Sequence, residues 1–80
     1  MRLDKYLKVS RIIKRRTVAN EACDAGRVAV NGKSARASYE VKVGDIIEIS
    51  LGTRCTKFKV EAVNEYATKE GASSLYSVIE

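Results

Sequence analysis

Ala25-Gly26-Arg27-Val28-Ala29-Val30-Asn31-Gly32 is the stretch at which the chain changes its period. Upstream of it apolar residues recur at helical spacing, and from Val28 onward they alternate with polar ones. Gly26 stands where the end of a helix wants a left-handed residue. Asn31-Gly32 is the strongest short hairpin signal, because both central residues of a type I′ turn need positive φ. Arg27–Val30 is therefore predicted as a strand that Lys33–Ala37 returns antiparallel.

Working outward toward the N-terminus, a second helix is predicted from about Arg16 to Ala25. Val18, Ala22 and Ala25 form its buried stripe, Ala19 widens that stripe, and the small side chains allow close packing on a first helix. In the first helix Leu3 and Leu7 stand at i,i+4 with Tyr6 beside them, while Arg2, Lys5 and Lys8 repeat on the other side. The pattern breaks at Ser10-Arg11 and resumes at Ile12-Ile13, a short connection whose isoleucines turn inward. Toward the C-terminus, Val41 and Val43 lead into a turn at Gly44-Asp45, and Ile46–Leu51 reads as a strand with Ile47, Ile49 or their neighbours buried. Thr56–Val63 alternates Phe58, Val60 and Ala62 against Lys57, Lys59 and Glu61. Thr68–Ser74 is polar and rich in Gly and Ser, a flexible loop or the start of a loose tail, and Leu75–Ile79 is expected to add a final edge strand. The expected fold class is α+β, two N-terminal helices packed on a small antiparallel sheet.

At 80 residues the chain is expected to form one domain over residues 1–80, with no room for an enzyme built from two lobes. There are 15 Lys and Arg against 10 Asp and Glu, a net charge of +5. The excess sits in one half: up to Lys42 there are 11 basic and four acidic side chains, and from Val43 onward four basic and six acidic. Such a concentration of positive charge anticipates a polyanion, nucleic acid first and an anionic membrane second. Histidine is absent, which removes the usual general base and the commonest zinc ligand. Cys23 and Cys55 lie far apart with no CxxC pair, so neither a metal nor another cofactor is expected and a reducing compartment is. No apolar run approaches the roughly 20 residues that span a bilayer, and the opening residues lack a signal peptide's apolar stretch, so the expected location is the cytoplasm.

The chemistry lies in where the cations fall. Lys14, Arg15 and Arg16 crowd the predicted start of the second helix, where the macrodipole already places partial positive charge. Each is unfavourable there by a few tenths of a kcal/mol (~0.3) unless an anion is near, and a helix N-terminus with three cations suits phosphate. A solvated surface charge run is the plainer alternative. Against it, cations also repeat along the first helix, continue at Arg11, and recur at Arg27, Lys33 and Arg36 around the hairpin, so two helices and a loop are expected to share a basic face.

Four blocks carry a family resemblance: Arg2-Leu3-Asp4-Lys5-Tyr6-Leu7, Arg16-Thr17-Val18-Ala19, the stretch from Ala25 to Gly32, and Val41-Lys42-Val43-Gly44-Asp45-Ile46-Ile47. In this order and spacing they resemble the S-four RNA-binding domain, from about residue 1 to 50, leaving 51–80 as a sheet extension and C-terminal tail. The resemblance implies helices packed on a sheet in the αL arrangement, with RNA held by the basic face. It places Arg2 and Lys5 among the basic positions of the first helix and Arg16 at the opening of the second. Asp4 matches an acid of the same motif, which is either a salt-bridge or capping partner of Arg2 or Arg16 or a direct acceptor for a base or ribose hydroxyl. Arg15 departs from the family, which often has Ser or Thr there, so the cap falls to Thr17 or to a bound phosphate. Cys23 replaces a large aliphatic residue as a small core hydrophobe, and Cys55 is assigned nothing.

Among members of this family the chain looks most like the fifteen-kilodalton heat-shock subgroup and its compact relative in ribosome-associated quality control. With no histidine and no nucleophile-base spacing the chain is expected to be a non-catalytic monomer, and the resemblance implies large-subunit rRNA and peptidyl-tRNA on stalled, split ribosomes as its partners. It also implies an elongation factor that adds a C-terminal alanine tail. The alternative is a general RNA chaperone or small-RNA binder acting off the ribosome. RNA contact is expected at Arg2, Asp4, Lys5, Lys8, Arg11, Lys14, Arg15, Arg16, Arg27, Lys33 and Arg36.

Overall fold

The computed structural model describes residues 1–64, 69–72 and 74–79. Helices α1 (Leu3–Val9) and α2 (Arg16–Asp24) precede strands β1 (Val28–Val30), β2 (Lys33–Ser34), β3 (Ile46–Leu51) and β4 (Arg54–Val60), then a helical turn α3 (Lys69–Ala72) and strand β5 (Tyr76–Ile79). The strands form one antiparallel sheet in the order β2-β1-β3-β4-β5. This is the expected α+β class.

Register follows from the turns. Asn31 and Gly32 have φ of 53° and 84°, so Val30 pairs with Lys33 across a two-residue hairpin. Across the sheet Val30, Ile47, Phe58 and Val78 fall in one row, which places the alternate residues of β1, β3 and β4 on a single apolar face. Against that face α1 sets Leu3, Tyr6 and Leu7, all fully buried, and α2 sets Ala19, Ala22 and Cys23. Gly26, with φ of 77°, ends α2 in a Schellman arrangement: its N–H donates to Cys23 O and that of Arg27 to Ala22 O. Arg11 takes up φ of 63° in the connection between the helices, and Ile13 behind it is buried, with Ile12 half-buried.

Several boundaries differ from expectation for identifiable reasons. Val18 is 47% exposed and Ala25 lies on the surface, so the buried stripe of α2 is Ala19, Ala22 and Cys23. The helix is rotated so that Arg16 and Asn20 face α1, which turns Val18 away. The first strand starts at Val28, not Arg27, whose N–H is taken by the helix cap. The return strand stops at Ser34, because beyond it the carbonyls of Ala37 and Tyr39 accept from Asp4 and Leu3 at the start of α1. Strand β4 begins two residues earlier than expected, since Gly52 with φ of 62° closes a two-residue turn that pairs Leu51 with Arg54. It ends at Val60, because the N–H groups of Glu61 and Ala62 both turn to Leu75 O. Val41 is buried, and Val43 at the tip of the turn is 66% exposed. Within the expected 68–74 loop, Lys69–Ala72 is helical, with Ala72 buried; Thr68 and Ser73 lie outside the described residues.

Candidate nucleic-acid interface

A carboxylate organises the start of both helices. Asp4, in the first turn of α1, is 2% exposed, and its oxygens accept four hydrogen bonds. Oδ1 accepts from Arg2 Nε at 3.2 Å and from the Lys5 N–H at 2.8 Å. Oδ2 accepts from Arg16 Nε at 3.3 Å and Asn20 Nδ2 at 3.3 Å. Burial by itself would raise this carboxyl, but the hydrogen bonds from Asn20, Arg16 and Lys5 N–H, with the Arg16 charge, outweigh it and hold the group below its usual range. Of the two roles expected for Asp4, the geometry is that of the salt-bridge partner.

The consequence lies with the arginines. Their side chains stay 51% and 47% exposed, so neither charge is desolvated. Holding a guanidinium through Nε leaves its terminal N–H groups as a flat fork for an oxyanion. Arg2, Lys5 and Arg16 line one groove with Met1, Ser38 and Glu40. The pairing of Arg2 with Glu40, and hydrogen bonds from Leu3 N to Tyr39 O and Val41 N to Met1 O, tie α1 to the 37–41 loop. That loop is itself anchored: buried Asp45 accepts from Asn31 Nδ2, Tyr39 Oη and the Lys42 N–H at 2.9–3.1 Å.

The remaining predicted site residues divide by position. Lys33 and Arg36 line a neighbouring groove that meets the first at Ser38. Arg27 lies in a separate groove along α2 with Val18, Glu21, Ala22 and Ala25. Lys8 is in the last turn of α1, Arg11 and Lys14 in the connection, and Arg15 at the N-cap of α2, all exposed and outside the Arg2–Arg16 groove. Arg15 makes no side-chain capping hydrogen bond, and among the described residues Thr17 supplies none to α2 either. Asn20, Tyr39 and the buried role of Asp45 escaped the sequence reading. A signal existed for Asn20: it stands four residues after Arg16, mid-helix, where Asn is a poor helix former.

Cys23 is buried, and burial, with Asp4 and Asp24 nearby, pushes its thiol up to about 11. Among the described residues no cluster of three His, Cys, Asp or Glu is arranged to hold a metal, and no helix is long and apolar enough to cross a membrane.

Known proteins resemble the chain in sequence and in fold. The S4 domain, the S-four module of the sequence motifs, matches residues 1–47. Over 79 residues, 99% of this chain and 86% of the relative, the sequence is 52% identical to the RQC P-site tRNA stabilizing factor of Listeria monocytogenes. It is also 52% identical, over 99% of this chain and 90% of the relative, to the protein of that name in Streptococcus pneumoniae. Among solved structures, the trimeric structure of Vibrio cholerae heat shock protein 15 aligns with a TM-score of 0.89 at 29% identity, covering 99% of this chain and 81% of that one.

Proposed function

The chain belongs to the S4 domain family, and from that premise we propose that it is an RNA-binding factor of ribosome quality control whose anion site is the pair of guanidiniums held by Asp4. The observation that carries the site is the buried carboxylate: a group 2% exposed, engaged by Arg2 and Arg16 from two elements, fixes both forks toward one groove. Two pre-aimed guanidiniums suit adjacent phosphates of a nucleic-acid backbone and lose little side-chain entropy on binding. Lys5 shares that groove, and Lys33 and Arg36 extend the track past Ser38.

In this reading the protein acts by binding and performs no covalent chemistry. As a single copy it sits on a large ribosomal subunit that retains peptidyl-tRNA after a stalled ribosome has split, with rRNA on one part of its basic surface and the tRNA backbone on another. It steadies the tRNA while an elongation factor adds the C-terminal alanine tail. Recognition is of shape and phosphate more than base sequence.

The test is co-sedimentation with free large subunits across a salt series. Neutralising about four to six phosphates gives a slope of log affinity against log salt of roughly −3 to −5. Arg2→Ala and Arg16→Ala should each weaken association while leaving the folded state intact, since both side chains are half exposed. A slope near zero, or sedimentation with bulk RNA in preference to large subunits, refutes the proposal; the second outcome favours a general RNA chaperone.

A further inference from the structure

Among the described side chains that donate to Asp4, Asn20 is the one that brings no charge. It stands one helical turn after Arg16 on α2, half-buried, and its Nδ2 donates to Asp4 Oδ2 at 3.3 Å. A carboxylate accepts and cannot donate, so this bond fixes which way the side-chain amide points. With nitrogen turned to Asp4, the carbonyl Oδ1 is directed away from it. Among the described residues nothing donates to Oδ1, and Asn20 lines a groove with Asp4, Arg16, Thr17 and Glu21. Beside the exposed Arg16 guanidinium there is thus an oriented neutral acceptor at the edge of a cationic site.

A neutral acceptor contributes nothing to holding phosphate, whose oxygens are themselves acceptors. What it complements is a donor that stands close to a phosphate along the same strand. In RNA that donor is the ribose 2′-hydroxyl, which DNA lacks. Asp4 cannot fill the role, because it is buried and its oxygens already accept four bonds.

We propose that Asn20 is a specificity-determining residue: its Oδ1 accepts a hydrogen bond from a ribose 2′-hydroxyl next to the phosphate that Arg16 holds, so that the site discriminates RNA from a 2′-deoxy strand. The inference rests on the reading of Arg2 and Arg16 as phosphate ligands. It also assigns the Asp4–Asn20 bond a purpose, that of presenting the carbonyl and not the NH2 face of the amide to the ligand.

The experiment compares two synthetic hairpins of one sequence, one all-ribose and one with 2′-fluorine at every sugar. Fluorine keeps the ribose-like sugar pucker and the A-form helix but removes the 2′-OH donor. The full chain, Asn20→Ala and Arg16→Ala are titrated against both, with circular dichroism to verify that each variant is folded. The wild-type chain should prefer the ribose hairpin by about three- to tenfold, the worth of one net hydrogen bond. Asn20→Ala should lose that preference by weakening on ribose while changing little on the fluoro hairpin. Arg16→Ala should weaken on both equally and keep the preference. If Asn20→Ala weakens both hairpins alike, Asn20 only positions Asp4 and the specificity proposal is overturned, as it also is if the wild-type chain shows no preference. If Arg16→Ala changes neither affinity, it is the phosphate reading beneath the proposal that fails.

Discussion

Replacing Asp4 by Asn keeps the volume of the side chain and removes its charge, so it isolates what the carboxylate does. One amide oxygen can still accept from either the Arg2 and Lys5 pair or the Arg16 and Asn20 pair. The NH2 group must then face the other two donors, at a site only 2% exposed. The cost combines two lost ion pairs to half-exposed arginines, about 0.2–1 kcal/mol each, with at least one lost neutral bond, about 0.5–1.5 kcal/mol. Some desolvation of the stranded NH2 adds to this, giving about 2 kcal/mol in total. For a domain of this length that is a fall in Tm of roughly 8–16 °C at neutral pH. The folded Asp4 pKa is lowered, so the native state binds fewer protons than the unfolded chain, and the carboxylate's contribution is fully present above the unfolded value of about 3.9. It is lost as pH falls through the lower, folded value. Thermal unfolding of the wild-type chain and Asp4→Asn, followed by circular dichroism from pH 7 down to pH 2, should therefore show two curves that converge at the acid end. RNA affinity of the variant should fall while its salt slope stays nearly unchanged, because the arginines remain but are no longer aimed. An offset in Tm that is the same at pH 2 and pH 7, or absent at pH 7, would falsify the account of Asp4 as the charge that organises the site.

Other consequences are simpler. Arg15 occupies the N-cap of α2 with no capping side chain, so Arg15→Ser should stabilise the domain by about 1 kcal/mol, seen as a higher Tm, while reducing the steepness of the salt dependence if Arg15 touches phosphate. Cys55 is exposed, whereas Cys23 is buried with its thiol pushed up to about 11. A thiol reagent at pH 8 should accordingly label a single cysteine in the native protein and the second only after denaturation; rapid labelling of both contradicts the packing of α2. Tyr6 Oη donates to Leu75 O at 2.7 Å, and that carbonyl also accepts from Glu61 and Ala62. Tyr6→Phe therefore leaves no acceptor stranded and should cost only about 0.5–1 kcal/mol, with faster amide exchange at Glu61 and unchanged exchange in β1 and β3. Equal acceleration throughout the sheet would show that the bond is not local to the C-terminal segment.

Much of the fold was legible because local rules and burial agree there. Gly26 ends α2 and Asn31-Gly32 turns the first hairpin, since each position needs a positive φ that few residues accept. Ile47 and Ile49 are buried as the period of two requires, and Leu3, Tyr6 and Leu7 as the helical period requires. Where local pattern and tertiary demand diverge, the second prevails. The Val18, Ala22 and Ala25 spacing is a sound helical stripe, yet a helix of nine residues is easily turned about its axis, and Asp4 draws Arg16 and Asn20 inward instead. Lys69–Ala72 reads as a loop by composition and becomes a helical turn because Ala72 and Leu75 are buried.

The amino-acid sequence by itself determined the class of fold, the basic character of the N-terminal half and the identity of the arginines, since these depend on periodicity, turn residues and charge counted along one dimension. Only the tertiary structure decided that Asp4 is buried, that Arg2 and Arg16 share its two oxygens, that Asn20 completes the set, and that the cations fall into separate grooves. The reason is geometric. A hydrogen bond constrains distance and direction between groups 12 or 16 positions apart, and no pattern along the chain encodes that approach until two helices pack and a loop closes over their ends.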